Sequence, residues 1–325
     1  MSNRMDRKEF ITSSSVMAVA SLTGSQLLNA AIHKRGKLLL IVDTHQHLWD
    51  IERFKEGWSA PPLPGNFSMR EYRIAIKGLN VVKSVYMEVA VPPDKRHEEA
   101  LYAVELCKDR SNPTVAAVIG VDLNMNDFEE YMSEFKNSPY IKGIRYFFKS
   151  PEEILYDQII KNIRVLGGMN MHFEFSIPPK WLPHMTELVS ICPDTLFFVQ
   201  HCGNADPKAF FKPGELLGKP DHDPEQWIAD MKAIASKKNV VCKISGLVTR
   251  APGYPLTADN LAPAINHCLD IFGPDRVMFG SDWPVCLKRM EMRCWVNILK
   301  KVVVNRSYGD QKKLFHDNAV KFYKI

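Results

Sequence analysis

Leu38-Leu39-Leu40-Ile41-Val42-Asp43-Thr44-His45-Gln46-His47 is an apolar run that ends in two histidines one residue apart. So short and apolar a run predicts a strand buried on both faces. On an extended backbone, residues i and i+2 project to the same side, so His45 and His47 present paired imidazoles where the strand ends. Working outward, eight such β-rich runs occur: Leu38 to Thr44, Ser84 to Val89, Val115 to Val121, Ile141 to Tyr146, Met171 to Ser176, Thr195 to Gln200, Val240 to Ile244 and Val277 to Gly280. Helical patterns separate them, with Trp227, Met231 and Ile234 at i, i+4, i+7, and with Leu261, Ile265, Leu269 and Phe272 repeating at 4, 4 and 3. Eight strand–helix units predict an α/β fold, a (β/α)8 TIM-type barrel forming a single domain over residues 37–325. An open doubly wound sheet is the alternative. No G-x-G-x-x-G or G-x-x-x-x-G-K-[ST] follows any strand, so the usual phosphate-binding reason for that fold is missing.

In a barrel the C-terminal ends of the strands converge on one face. His45 and His47 on strand one, His201 in Phe198-Val199-Gln200-His201-Cys202-Gly203 and Asp282 in Met278-Phe279-Gly280-Ser281-Asp282-Trp283-Pro284 then meet despite their separation in the chain. Three neutral imidazoles and a carboxylate suit one borderline divalent ion such as zinc, with positions open for water and substrate. The same groups also serve metal-independent chemistry, with Asp282 as general base and the histidines polarising a carbonyl. Each has a plainer use as well: histidine as a packed core residue, Asp282 as a helix cap.

These motifs bring a family into view. Asp43-Thr44-His45-Gln46-His47-Leu48-Trp49, His201-Cys202-Gly203 and Gly280-Ser281-Asp282-Trp283-Pro284 resemble the amidohydrolase superfamily, and more closely its lactonase-like branch. Lys142-Gly143-Ile144-Arg145, Cys242-Lys243-Ile244-Ser245-Gly246-Leu247 and Phe272-Gly273-Pro274-Asp275-Arg276 extend the likeness over nearly all of the chain beyond residue 36. The resemblance implies a (β/α)8 barrel and hydrolysis of a ring ester, commonly a sugar lactone or a carboxylated aromatic-derived lactone. It also implies that binuclear members carry a bridging lysine or glutamate on strand four and a histidine closing strand five. This chain has Arg145 and His172-Phe173-Glu174-Phe175-Ser176 there, so one metal or none is expected. His172 lies early on its strand, away from the catalytic face, and reads as a packed or surface residue. Rival activities are a metal-dependent decarboxylase or hydratase of the same superfamily, and a non-catalytic sugar-acid binding barrel. No G-x-S-x-G supports serine hydrolase chemistry.

Around this centre, Arg145 reads as an anchor for substrate oxygens or as a surface ion pair. Glu88 reads as a site carboxylate or as the buried partner of Arg145 or Lys243. Either Lys243 or Ser245 faces the lumen. Trp49 and Trp283 read as an apolar wall for a sugar face or as plain packing. Long loops, Ile51 to Met69 with Pro61-Pro62 and Asn204 to Pro224 with Lys212-Pro213-Gly214, leave the catalytic face and are expected to shape the substrate's entrance. Asp221-His222-Asp223-Pro224 reads as a helix cap rather than a metal cluster.

Composition narrows the partners. With 42 basic against 37 acidic residues interspersed, nothing marks a nucleic-acid surface, and the expected partner is a small-molecule substrate. Seven cysteines without a C-x-x-C argue against a disulfide framework or zinc knuckle. Residues 1–36, in which Arg4, Arg7 and Lys8 precede a weakly apolar stretch from Thr12 to Ile32, read as an export signal of twin-arginine type with Arg7-Lys8 in place of the arginine pair. That stretch is too polar for a stable membrane span. A periplasmic location follows from this reading.

Overall fold

The computed structural model describes residues 38–54, 63–211 and 218–325. The signal-like segment, Pro61-Pro62 and Lys212-Pro213-Gly214 lie outside them. Leu39–Ile325 forms one compact unit. Eight parallel strands pair in sequential order: β1 (Ile41–Gln46), β2 (Val81–Met87), β3 (Thr114–Gly120), β4 (Ile141–Arg145), β5 (His172–Phe175), β6 (Leu196–Val199), β7 (Val240–Ile244) and β8 (Val277–Phe279). One main helix follows each strand: α1 (Met69–Ile76), α2 (Arg96–Lys108), α3 (Phe128–Ser133), α4 (Asp157–Gly168), α5 (Leu182–Ile191), α6 (Pro224–Ala235), α7 (Ala258–Phe272) and α8 (Met292–Val302). The fold is the expected (β/α)8 barrel. Among the described residues no helix is long and apolar enough to cross a membrane.

The sheet closes just beyond the short β8. Asp282 donates its N–H to the His45 carbonyl at 3.0 Å, and His47 donates to the Trp283 carbonyl at 2.7 Å. Gln46 and Trp283 form a parallel bridge. Closure removes the sheet edge and brings the first and last strand-end motifs side by side.

Apolar side chains divide between two cores. Trp227, Met231, Ile234, Leu261, Ile265, Leu269 and Phe272 are buried between helices and sheet, as their helical spacing predicts. Val85, Met87, Val118, Phe198, Val241, Met278 and Tyr323 form a separate cluster, the lumen filling. Tyr323 reaches it from the C-terminal helix Asn318–Tyr323.

A buried ion pair crosses this lumen. Lys243 Nζ on β7 lies 2.5 Å from Glu174 Oε2 on β5, and both side chains are fully buried. Lys243 also donates to the Thr44 carbonyl at 2.7 Å. Glu174 accepts further bonds from Gln200 Nε2 at 2.9 Å and Tyr323 Oη at 2.5 Å. His172 Nε2 sits 3.1 Å from Glu174 Oε1, with its ring stacked on Phe198. His172 is thus a packed residue, as its place early on the strand implied. Burial alone would raise the Glu174 carboxyl, but Lys243 and His172 outweigh it and hold the group at about 2.

That value lies below the ordinary 4.5, so the stabilisation is complete above pH 4.5 and is lost as pH falls toward about 2. Glu174→Gln, which strands the Lys243 charge in the lumen, is expected to cost ~3–5 kcal/mol near neutral pH. Urea denaturation checks this, and adding Lys243→Met should recover part of the loss. A Glu174→Gln midpoint equal to the parent's would show that the pair does not hold the lumen.

Candidate active site

At the C-terminal mouth of the barrel the paired histidines arrive through a bulge rather than a regular strand. Asp43 pairs with Ser84 and Gln46 with Tyr86, so β1 takes three steps where β2 takes two. Both imidazoles still reach one carboxylate oxygen: Asp282 Oδ1 lies 3.6 Å from His45 Nε2 and 3.5 Å from His47 Nε2. His201 joins them, its ring centroid 4.6 Å from that of His45. Ligand atoms of His45, His201 and Asp282 all lie within 4.8 Å of one another.

His201 is aimed by unusual backbone. His201, Cys202, Gly203 and Asn204 all have positive φ, between 52° and 61°. For residues other than glycine this conformation costs roughly 1–2 kcal/mol each. Gly246, itself at φ +66°, leaves the space that the His201 ring occupies, and a Cβ there would run into the imidazole. Ser245 Oγ, 3.0 Å from His201 Nδ1, fixes the ring's rotation. Lys243 and Ser245 therefore both face inward, one into the lumen pair and the other onto His201.

Asp43, the first residue of the opening motif, ties β1 to the β8 motif. Its carboxylate accepts from Ser281 N at 2.8 Å, Ser281 Oγ at 2.6 Å, Tyr72 Oη at 2.8 Å and His45 N at 3.2 Å. Burial pushes its pKa up while these donors pull it back. Sequence reasoning quoted Asp43 without giving it a role, and it gave none to Ser281, Gln200 or Glu174. An aspartate directly after an apolar strand was the available signal, but its partners lie 29 and 238 residues away.

The donor set fits a metal ion. His45 is completely buried, and neither of its ring nitrogens has a hydrogen-bond partner. His47 Nδ1 faces the carbonyls of Met87 and Glu88, at 3.1 and 3.0 Å, so it carries the proton and leaves Nε2 as the lone-pair donor. Burial and the nearby positive groups hold His45 well below its ordinary pKa and His201 at about 4. Asp282 is lowered even though burial opposes ionisation, because His201, His47 and Arg145 favour its charge.

Arg145 and Glu88 form an ion pair that is buried rather than at the surface. Arg145 also donates to the Glu88 carbonyl at 2.9 Å and to Gln200 Oε1 at 3.4 Å. Trp49 and Trp283 are 3% and 1% exposed, with Phe67 edge-on to each, so both pack beneath the motifs. His222 belongs to a capped turn: Asp223 accepts from Gln226 N at 2.8 Å, and His222 Nε2 accepts from Asp206 N at 2.8 Å.

Replacing Asp43 with alanine strands the Ser281 and Tyr72 donors at the barrel seam. Each buried unmet donor costs ~1–3 kcal/mol, so Asp43→Ala should shift the urea midpoint strongly without changing the m-value. Asp43→Asn, which retains an acceptor for Ser281 N–H, should lose less. Equal midpoints for parent and alanine variant would remove Asp43 as the tie between the motifs.

Known proteins share this architecture. The chain is 26% identical over 296 residues to an L-fucono-1,5-lactonase of Burkholderia multivorans, covering 88% of this chain and 96% of that protein. Among solved structures, an amidohydrolase of Burkholderia multivorans with bound zinc superposes with a TM-score of 0.74 at 21% identity, over 88% of this chain and 99% of that one. A probable 2-pyrone-4,6-dicarboxylic acid hydrolase of Acinetobacter baumannii, with citric acid bound, gives 0.66 at 16% identity over 88% and 99%. The sequence model of the amidohydrolase family matches residues 42–325, which takes in the whole barrel sheet except Ile41 and all four residues of the donor set, and the chain belongs to this family of hydrolases.

Proposed function

We propose that this protein opens the ring of an uncharged, hydroxylated lactone, a sugar-acid lactone, by attack of water. The observation that carries the substrate class is the state of the two cations nearest the centre. Arg145 is already neutralised by Glu88 and Lys243 by Glu174, all four side chains being buried. A carboxylated lactone, or the acid substrate of a decarboxylase, would bring its own negative charge to this mouth and find both cations committed. Desolvating an unpaired charge there is costly, whereas hydroxyl groups lose little. The 26% identity to an L-fucono-1,5-lactonase supports the same reading.

His45, His47, His201 and Asp282 would hold one divalent ion, and the imidazole and carboxylate donors suit zinc. When bound, the ion supplies Lewis-acid polarisation of the lactone carbonyl. The chain's own groups do the rest. Asp282, held ionised, accepts the proton of the attacking water. On collapse of the tetrahedral species it returns that proton to the departing ring oxygen, so a single carboxyl serves as base and then acid. Ser245 Oγ, bonded to Nδ1, fixes the His201 ring in the donor set. Arg145 borders the centre with its donors committed to Glu88 and Gln200, and Trp49 and Trp283 support the motifs from below. The reading of residues 1–36 as an export signal places the activity in the periplasm, where the burial of six of the seven cysteines protects them from oxidation.

Proton release by the full-length protein with neutral aldonolactones and with dicarboxylated lactones, followed by indicator dye, tests the substrate class. Neutral lactones should turn over and the charged ones lag. Asp282→Asn should lower kcat by ~10²–10⁴-fold. Preference for the dicarboxylated lactone would overturn the charge argument, and carbon dioxide release from an aromatic acid would replace hydrolysis with decarboxylation.

A further inference from the structure

Three cysteines outside this site converge behind it. Cys202 follows β6, Cys242 lies on β7 and Cys268 on α7, and all three are completely buried. Their Sγ atoms lie within 4.8 Å of one another. Among the described residues the other four cysteines join no such group, and only Cys294 is exposed. The Cys202 and Cys242 thiols share one acceptor, the Lys243 carbonyl, at 3.9 and 3.8 Å. Three elements thus deliver three soft donors to one point.

We infer that Cys202, Cys242 and Cys268 form a site for a thiophilic ion, copper(I) in a trigonal three-sulfur shell. Sulfur ligands at ~2.3 Å from an ion stand ~4 Å apart in a trigonal plane, so the cluster needs a contraction of under about 1 Å to close on one. Thiolates select soft ions such as copper(I), whereas imidazole and carboxylate suit zinc. The chain therefore holds two donor sets of different softness, joined through the His201–Cys202 peptide: nitrogen and oxygen at the barrel mouth, sulfur behind it. Ligation releases the thiol protons to solvent as three metal–sulfur bonds form. No oxidation step is involved, and the site does not depend on which lactone is hydrolysed.

The test uses the full chain carrying Cys294→Ser, which removes the exposed thiol. The protein is loaded with copper(I) under anaerobic, reducing conditions and desalted in the presence of a copper(I) chelator. One retained copper per chain, with three sulfur neighbours at about 2.3 Å by X-ray absorption, is the expected result. Cys268→Ala and Cys242→Ala, each added separately and checked for folding by circular dichroism, should each lose the ion. A copper shell of nitrogen and oxygen, no retained copper, or undiminished retention by a folded alanine variant would overturn the site. The sulfur count in the parent decides the matter even where a variant fails to fold.

Discussion

The seam between β1 and β8 is the constraint on which the rest of the molecule depends, and the Asp43 carboxylate holds it. β8 contributes only Val277–Phe279 to the sheet, so ladder hydrogen bonds alone give the last strand little purchase on the first. Asp43 supplements them by gathering four donors from both sides of the seam and from α1. The same contacts set the register of the backbone beyond it. His45 and His47 pair with Asp282 and Trp283 main-chain groups only because Ser281 is pinned. A barrel closed one residue out of register would still bury its apolar surface, but it would turn Asp282 away from the histidines. Specifying the site and closing the fold are thus one physical event.

The lumen makes the second demand. Parallel barrels usually fill their interior with branched apolar side chains, and the lower layers here follow that habit with Val85, Val118 and Val241, joined by the unbranched Met278. Above them the filling turns polar. Glu174, Lys243, Gln200, Arg145 and Glu88 form a continuous chain of ion pairs and hydrogen bonds that ends at the Glu88 carbonyl, where His47 is held. Groups this deep contribute little net stability when compared with an apolar filling of equal shape. Their effect is positional: each fixes the next, and the last fixes a histidine of the centre.

How far the sequence foretold this differs between the layers. Strands buried on both faces announce themselves as short apolar runs, and all eight lie within a few residues of their expected places. The ends differ where pairing, not apolarity, decides. Leu38 to Leu40 precede β1 because β2 offers them no partner, and Gln46 joins it because Tyr86 does. His45, His47, His201 and Asp282 were legible since strand ends must converge in a barrel. The partners of buried charges were not. Glu88 stood equally between Arg145 and Lys243, and only the strand positions around the barrel assign it to Arg145. Glu174 lies between Phe173 and Phe175, so its charge was the signal of an inward polar layer, yet nothing local pointed to Lys243 some seventy residues on. The left-handed turn at His201 was equally hidden, since Gly203 is the only glycine among its four residues.

These two constraints together explain the charge state of the centre. An imidazole stripped of water and placed near Arg145 and Lys243 resists protonation, and the pKa of both His45 and His201 falls accordingly. His201, His47 and Arg145 favour the Asp282 carboxylate, which stays ionised against the cost of burial. If Glu88 and Glu174 did not pair with those cations, the surplus positive charge would repel any metal ion. With the pairs in place, the mouth of the barrel presents the neutral imidazoles of His45 and His201 and the Asp282 anion around neutral pH. A divalent cation can enter that set without first displacing protons from His45 or His201, and the carboxylate beside it stays ionised.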